Sequence, residues 1–161
     1  MKKTKFFALM IAMLLVVFAA KSQEHSAMMG DHKMTNTGDI QWMDGPGSLP
    51  PGAKYAVIEG DLSKPGPFTA RIQLPANYEI PAHWHPAIEH VTVLEGSFYM
   101  GAGDKLDKSK GTRLNVGGFA VMPIDFRHFA YTTEPAVIQL HGMGPWGITY
   151  VNSTEDPRKK K

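Results

Sequence analysis

The chain has 161 residues, 43% of them hydrophobic and 20% charged, which suits one globular domain with a sizeable core and leaves little room for a second. It contains no cysteine, so a disulfide framework, thiolate catalysis and thiolate-rich metal sites are excluded. The formal net charge of +2 depends on where the lysines lie, and the first of them sit in a segment of a different kind.

"MKKTK" is a basic opening and "FFALMIAMLLVVFAA", Phe6 to Ala20, an apolar run ending in small residues. Residues 1–22 therefore read as a secretory signal peptide cut after Ser22. The apolar run is shorter than the ~20 residues a spanning helix needs, and no cysteine follows to carry a lipid, so no stable membrane anchor is expected. Cleavage would remove Lys2, Lys3, Lys5 and Lys21 and no acid from 17 basic and 15 acidic residues, taking the net charge from +2 to −2. The expected location is periplasmic or secreted. The basic "RKKK" within residues 153–161 is then a tail rather than a patch, and nucleic acid is not an expected partner.

Residues 23–52 are polar and rich in Gly and Pro, with neither strand nor helix period, and read as a flexible segment. Within it His25, Met28, Met29, His32 and Met34 cluster. Thioethers and imidazoles could bind copper, but nothing fixes their geometry, and the plainer reading is a Met-rich linker.

From Ala53 onward short apolar or alternating runs follow at close spacing: "YAVIEG", "FTARIQL", "EHVTVLEGSFYMG", "TRLNVGGFAVMP", "HFAYTT", "AVIQLHG" and "GITYVN". Gly, Pro and Asp punctuate them and no long amphipathic helix intervenes, which predicts an all-β sandwich or small barrel of roughly eight to ten strands. "GAGDKLDKSKG", residues 101–111, is the longest polar insertion and reads as a solvated hairpin loop.

"IPAHWHPAIEHVTVLEG", residues 80–96, concentrates the chemistry. Pro81 and Pro86 disfavour a helix, and in an extended segment His83 and His85 share a face while Trp84 points away. In the following strand Glu89 shares its face with Val91 and Val93, so Glu89 rather than His90 is turned inward, where a carboxylate needs a cation. His128 begins a later strand and would add a third imidazole.

These residues carry a resemblance. "HWHPAIEHVTVLEG" matches the first cupin motif through His83, His85, Glu89 and Gly96, and "GGFAVMPIDFRH" matches the second through Gly117, Pro123 and His128. Asn77 and Asp125 stand where the motifs usually carry glycine, and both tolerate left-handed backbone; Thr132 replaces a closing asparagine. Residues 53–152 thus resemble a single-domain cupin, and the chain is similar to small exported bacterial cupins and to the cupin module of zinc-binding anti-sigma factors.

The resemblance implies a double-stranded β-helix, or jelly roll, and one divalent transition metal (Fe, Mn, Ni, Cu or Zn) held by His83, His85, Glu89 and His128. It also implies a small-molecule ligand or substrate, and a homodimer is open to it because many cupins exchange strands between copies. The family contains dioxygenases, isomerases and decarboxylases, so a dioxygenase-type reaction with Glu89 doubling as general base is one reading. A non-catalytic metal- or ligand-sensing module is the other. Alternation leaves open which face of each strand looks inward, but Arg71, Gln73, Gln139 and His141 could line a substrate pocket, and Tyr99 and Trp146 could stack on a ring substrate.

Overall fold

The alternation that marks the sequence from Ala53 onward becomes two antiparallel sheets in the computed structural model, which describes residues 32–160. The strands are β1 (Met43–Asp44), β2 (Lys54–Glu59), β3 (Gly66–Leu74), β4 (Glu79–Trp84), β5 (Glu89–Glu95), β6 (Phe98–Ala102), β7 (Thr112–Leu114), β8 (Phe119–Met122), β9 (His128–Tyr131), β10 (Ala136–Gly144) and β11 (Thr149–Tyr150). One sheet runs β1-β2-β3-β10-β5-β8 and the other β11-β4-β9-β6-β7. This is the all-β jelly-roll architecture expected, with one strand more than the eight to ten read from the sequence: β1, a two-residue pairing too short to show a period.

The core forms where inward residues of both sheets meet. Phe68, Ile72 and Leu74 of β3, Val91 and Val93 of β5, Phe98 and Met100 of β6 and Ile138 and Leu140 of β10 belong to one buried cluster. Each large side chain so buried contributes about 1.5–3 kcal/mol relative to exposure. A smaller cluster of Ala82, Phe129 and Tyr131 lies on the other face of β4 and β9, which is why β9 is buried along its whole length.

The signal peptide and His25, Met28 and Met29 lie outside the described residues. His32 and Met34 are exposed. The compact unit opens at Thr37 rather than Ala53, so part of the segment read as flexible belongs to the fold. Ile40 is buried, β1 pairs with β2, and Tyr78 and Tyr150 donate their hydroxyls to the carbonyls of Pro50 and Ser48. Gly and Pro hide this from a periodicity argument, because such a segment is held by its backbone carbonyls and a few buried contacts rather than by an apolar face. The C-terminal segment is likewise tied down: Asp156 is buried and receives Arg158, whose guanidinium also reaches the Ile148 carbonyl at 3.1 Å.

Two backbone positions let the strands reach the site. Asn77 before β4 and Asp125 before β9 take φ of 57° and 60°, the left-handed region that these two residues tolerate better than most. Thr132 does an asparagine's linking work with a hydroxyl. It donates to the Pro75 carbonyl at 2.7 Å and accepts from the Tyr78 amide at 3.0 Å, joining the end of β9 to the start of β4.

Candidate metal centre

Three strands deliver the four side chains. β4 and its exit carry His83 and His85, β5 opens with Glu89, and β9 opens with His128, which is the register partner of His83. The four are 4, 2, 5 and 1% exposed. A register shift between Ile80 and His83 lets Ala82 face the outer cluster while His83 and His85 turn inward. The strand parity of β5 follows the Val face: Glu89, Val91 and Val93 are buried and His90, Thr92 and Leu94 are not.

Each imidazole is oriented by a backbone carbonyl. Nδ1 of His83 donates to Pro81 at 2.7 Å, that of His85 to Gly147 at 2.7 Å and that of His128 to Phe126 at 2.9 Å. With the proton on Nδ1, the lone pair sits on Nε2, and the second hydrogen bond holds the ring in place as it does for metal-binding histidines generally. One ring nitrogen from each of the three can be chosen so that all lie within 4.8 Å of one another. Glu89 reaches between them, with its two oxygens each 3.4 Å from an Nε2, of His85 and of His128.

Those two contacts are not good hydrogen bonds. Nε2 of His85 and of His128 are buried without a hydrogen-bonding partner, and lone pairs facing a carboxylate repel it unless a cation or proton lies between. Burial lowers His83 to about 3, with His128 and His85 adding to the shift, so it is neutral near pH 7. Burial alone would raise Glu89; positive charge and hydrogen-bond donation from the His85 and His128 side would outweigh it and bring the net direction downward, so an ionised carboxylate here requires a proton or a cation on the Nε2 side. Three imidazole nitrogens and a carboxylate, dry and preoriented, fit a divalent transition metal.

Trp146, in the segment between β10 and β11, closes one side. Its ring stacks on His85 with centroids 4.5 Å apart and planes 19° apart, and it also packs 5.9 Å from Phe68. Its indole N–H is buried and has no acceptor among the described residues. The sequence offered Trp146 as an aromatic that could stack on a ring substrate; its place on the His85 ring comes from a loop that no strand period describes.

The other pocket assignments are corrected by the structure. Arg71 and Gln73 alternate with Ile72 and Leu74, and Gln139 and His141 with Ile138 and Leu140. The aliphatic set fills the core, so the polar set lies on the outer face of its sheet. There Arg71 donates to Gln139 at 3.1 Å. Tyr99 is also outside, stacked on Tyr131 at 4.7 Å, while its neighbours Phe98 and Met100 are in the core. The aliphatic members of each alternation are the more apolar set, and that contrast was the signal that could have decided the matter.

Two sheets rolled into a jelly roll, with histidines from two motifs meeting a glutamate inside, define a cupin. Residues 31–146 match the model of the ChrR cupin-like domain, and the chain belongs to that family. No protein of curated function matches it.

Among solved structures it is similar to the polyketide cyclase RemF from Streptomyces resistomycificus, at 17% identity and a TM-score of 0.63 over 80% of this chain and 92% of that one. A candidate acetylacetone dioxygenase from Methylibium petroleiphilum matches at 17% identity and a TM-score of 0.60, over 80% and 86% of the two chains. An RmlC-like cupin from Shewanella frigidimarina matches at 16% identity and 0.54, over 72% and 94%. At these identities the likeness shows the fold alone.

Proposed function

We propose that this chain is an exported, mononuclear metal-binding cupin that acts on a small organic molecule, with an oxygenase-type reaction as its chemistry. The observation that carries the reading is the buried Glu89 carboxylate facing the unpartnered Nε2 atoms of His85 and His128, with His83 beside them. His83, His85, Glu89 and His128 would hold one ion of Fe, Mn, Ni, Cu or Zn. When bound, such an ion supplies a Lewis acid that polarises a substrate oxygen and makes neighbouring protons more acidic.

The chain's own groups do the rest. The Pro81, Gly147 and Phe126 carbonyls keep each Nε2 turned toward the site. Glu89, ionised and within reach of the same space, accepts a proton from an acidic C–H or O–H of the substrate. Trp146 shields His85 from water. Export rests on the basic and apolar opening of residues 1–22, and the enzyme reading draws support from the cyclase and dioxygenase names among the similar folds.

The near-complete burial of all four ligands supports a second reading, a zinc-type structural or sensing centre without turnover. Elemental analysis of protein purified without chelator, beside the His128→Ala variant, tests both. About one equivalent of Fe, Mn, Ni or Cu that disappears in the variant is the outcome expected of the enzyme. Zinc alone favours the sensor, and metal retained in the variant sinks the ligand assignment.

A further inference from the structure

A cavity of about 540 Å³ opens between β6, β7 and β8. It adjoins the metal centre at three points. Met122 on its wall is the register partner of Glu89, Ala102 is the partner of His128, and the Phe126 ring lies 6.4 Å from the His128 ring and nearly parallel to it. Its size is that of an ordinary small-molecule site.

The wall is apolar where a polar ligand would need partners. Met100, Leu114, Ala120 and Met122 bring alkyl and thioether groups from the core. Phe126 stands at the rim, 40% exposed, while Phe119 and Val121 of the edge strand β8 turn their side chains to the outer face, where Phe119 stacks on His90. The only side chains on the wall with a charge or a hydroxyl are Lys110 and Thr112, and the Lys110 ammonium is exposed and 3.4 Å from Asp107. The groups that could have bound hydroxyls or carboxylates, Arg71, Gln73, Gln139 and His141, are on the outside of the sheet. A sugar or a multiply charged molecule entering here would leave its polar groups without partners, at high cost. One buried donor is unspent: the indole N–H of Trp146, in the ring stacked on His85.

Resting on the metal-centre reading above, we propose that the site takes a largely apolar molecule, aromatic or hydrocarbon, with an oxygen-bearing group at one end, and turns away polyhydroxylated and multiply charged molecules.

The test uses the Co(II)-loaded full chain and follows its visible absorption during titration with benzohydroxamate, acetohydroxamate and glucuronate. The two hydroxamates share a metal-binding end and differ in the ring, and the affinity of each for free Co(II) is subtracted. Benzohydroxamate should bind about tenfold or more tighter than acetohydroxamate, since filling an apolar pocket discriminates on that scale, and glucuronate should leave the spectrum unmoved. Leu114→Gln, on the cavity wall contributed by β7, should abolish most of the difference without changing the spectrum of the cobalt protein, and Met100→Gln provides the same check from the inner wall. Equal affinities for the two hydroxamates, or glucuronate matching benzohydroxamate, would overturn the proposal while leaving the metal centre standing. Failure to take up Co(II) would overturn the metal centre itself, and the proposal with it.

Discussion

Among the described residues lie two groups of closely packed imidazoles, and only one has the geometry of a binding site. His83, His85 and His128 lie inside the barrel with ring centroids 4.3 to 5.1 Å apart. His90 and His141 lie on the outer face of the larger sheet at 4.8 Å, a similar distance. Inside, every Nδ1 is committed to a carbonyl and the rings are inclined by 48 to 75°, so their Nε2 atoms can converge on a carboxylate. Outside, the two planes are within 9° of parallel, the Nδ1 atoms have no partner, and in-plane lone pairs on stacked rings do not point at a common centre. Proximity therefore does not make a metal site. The second hydrogen bond and the angle it imposes do.

The largest effect should come from breaking the inner group. His128→Ala would remove one of the groups facing the site and leave the buried Glu89 carboxylate without the cation that compensates it, so stability coupled to metal binding is lost with the metal. Metal content should fall from about one equivalent toward zero and the melting temperature should fall with it. A variant that keeps both would show that the inner rings are packing residues like the outer ones.

Acid should act on the same group by titration. His83 has its folded pKa lowered from 6.5 to about 3, so its stabilising contribution is fully present above about pH 6.5 and is lost as pH falls from there toward 3. Glu89, also held below its ordinary 4.5, adds to the loss at the lower end of that range. Protons compete with a metal for the same nitrogens. Metal release, read by a chromogenic chelator, and a falling melting temperature should therefore both appear between about pH 6.5 and 3. A flat melting temperature from pH 7 to 4 would contradict the buried neutral His83.

A smaller effect separates fold support from the site. Thr132→Val leaves the shape but removes the hydroxyl shared by Pro75 and Tyr78, and stranding the buried Tyr78 amide costs about 1–3 kcal/mol. Denaturant unfolding should show that loss with metal stoichiometry unchanged. Smallest of all, His90→Ala and His141→Ala should leave metal content at the wild-type level and change stability by about 1 kcal/mol or less, as expected for partly exposed positions. Loss of metal in either would give the outer pair a role its geometry does not suggest.

The inner group was legible because two independent periods agreed. His83 and His85 are two apart in a proline-flanked extended run, and Glu89 shares its parity with Val91 and Val93, so the apolar neighbours name the inward face. For Arg71, Gln73, Gln139 and His141 the period of two was read correctly but not its phase. Alternation says that a strand has two faces, and the more apolar of the two, Ile72 and Leu74 in β3 and Ile138 and Leu140 in β10, is the one the partner sheet covers. Tyr99 failed for a related reason: β6 and β9 are apolar on both faces, and a second small cluster outside the barrel absorbs the aromatic. Residues 37–52 were missed because a segment held by its carbonyls has no side-chain pattern to read.

The sequence by itself thus determined the class of fold, the inward placement of His83, His85, Glu89 and His128 and the left-handed turns at Asn77 and Asp125. Local spacing, φ preference and ligand chemistry are all written in adjacent residues. The tertiary structure alone decided which nitrogen of each histidine faces the site, because the carbonyls of Pro81, Phe126 and Gly147 make that choice, and Gly147 is far from His85 along the chain. It also decided that the cavity beside the ligands is apolar, since that depends on the sheets closing with their aliphatic faces inward and their polar faces to the solvent.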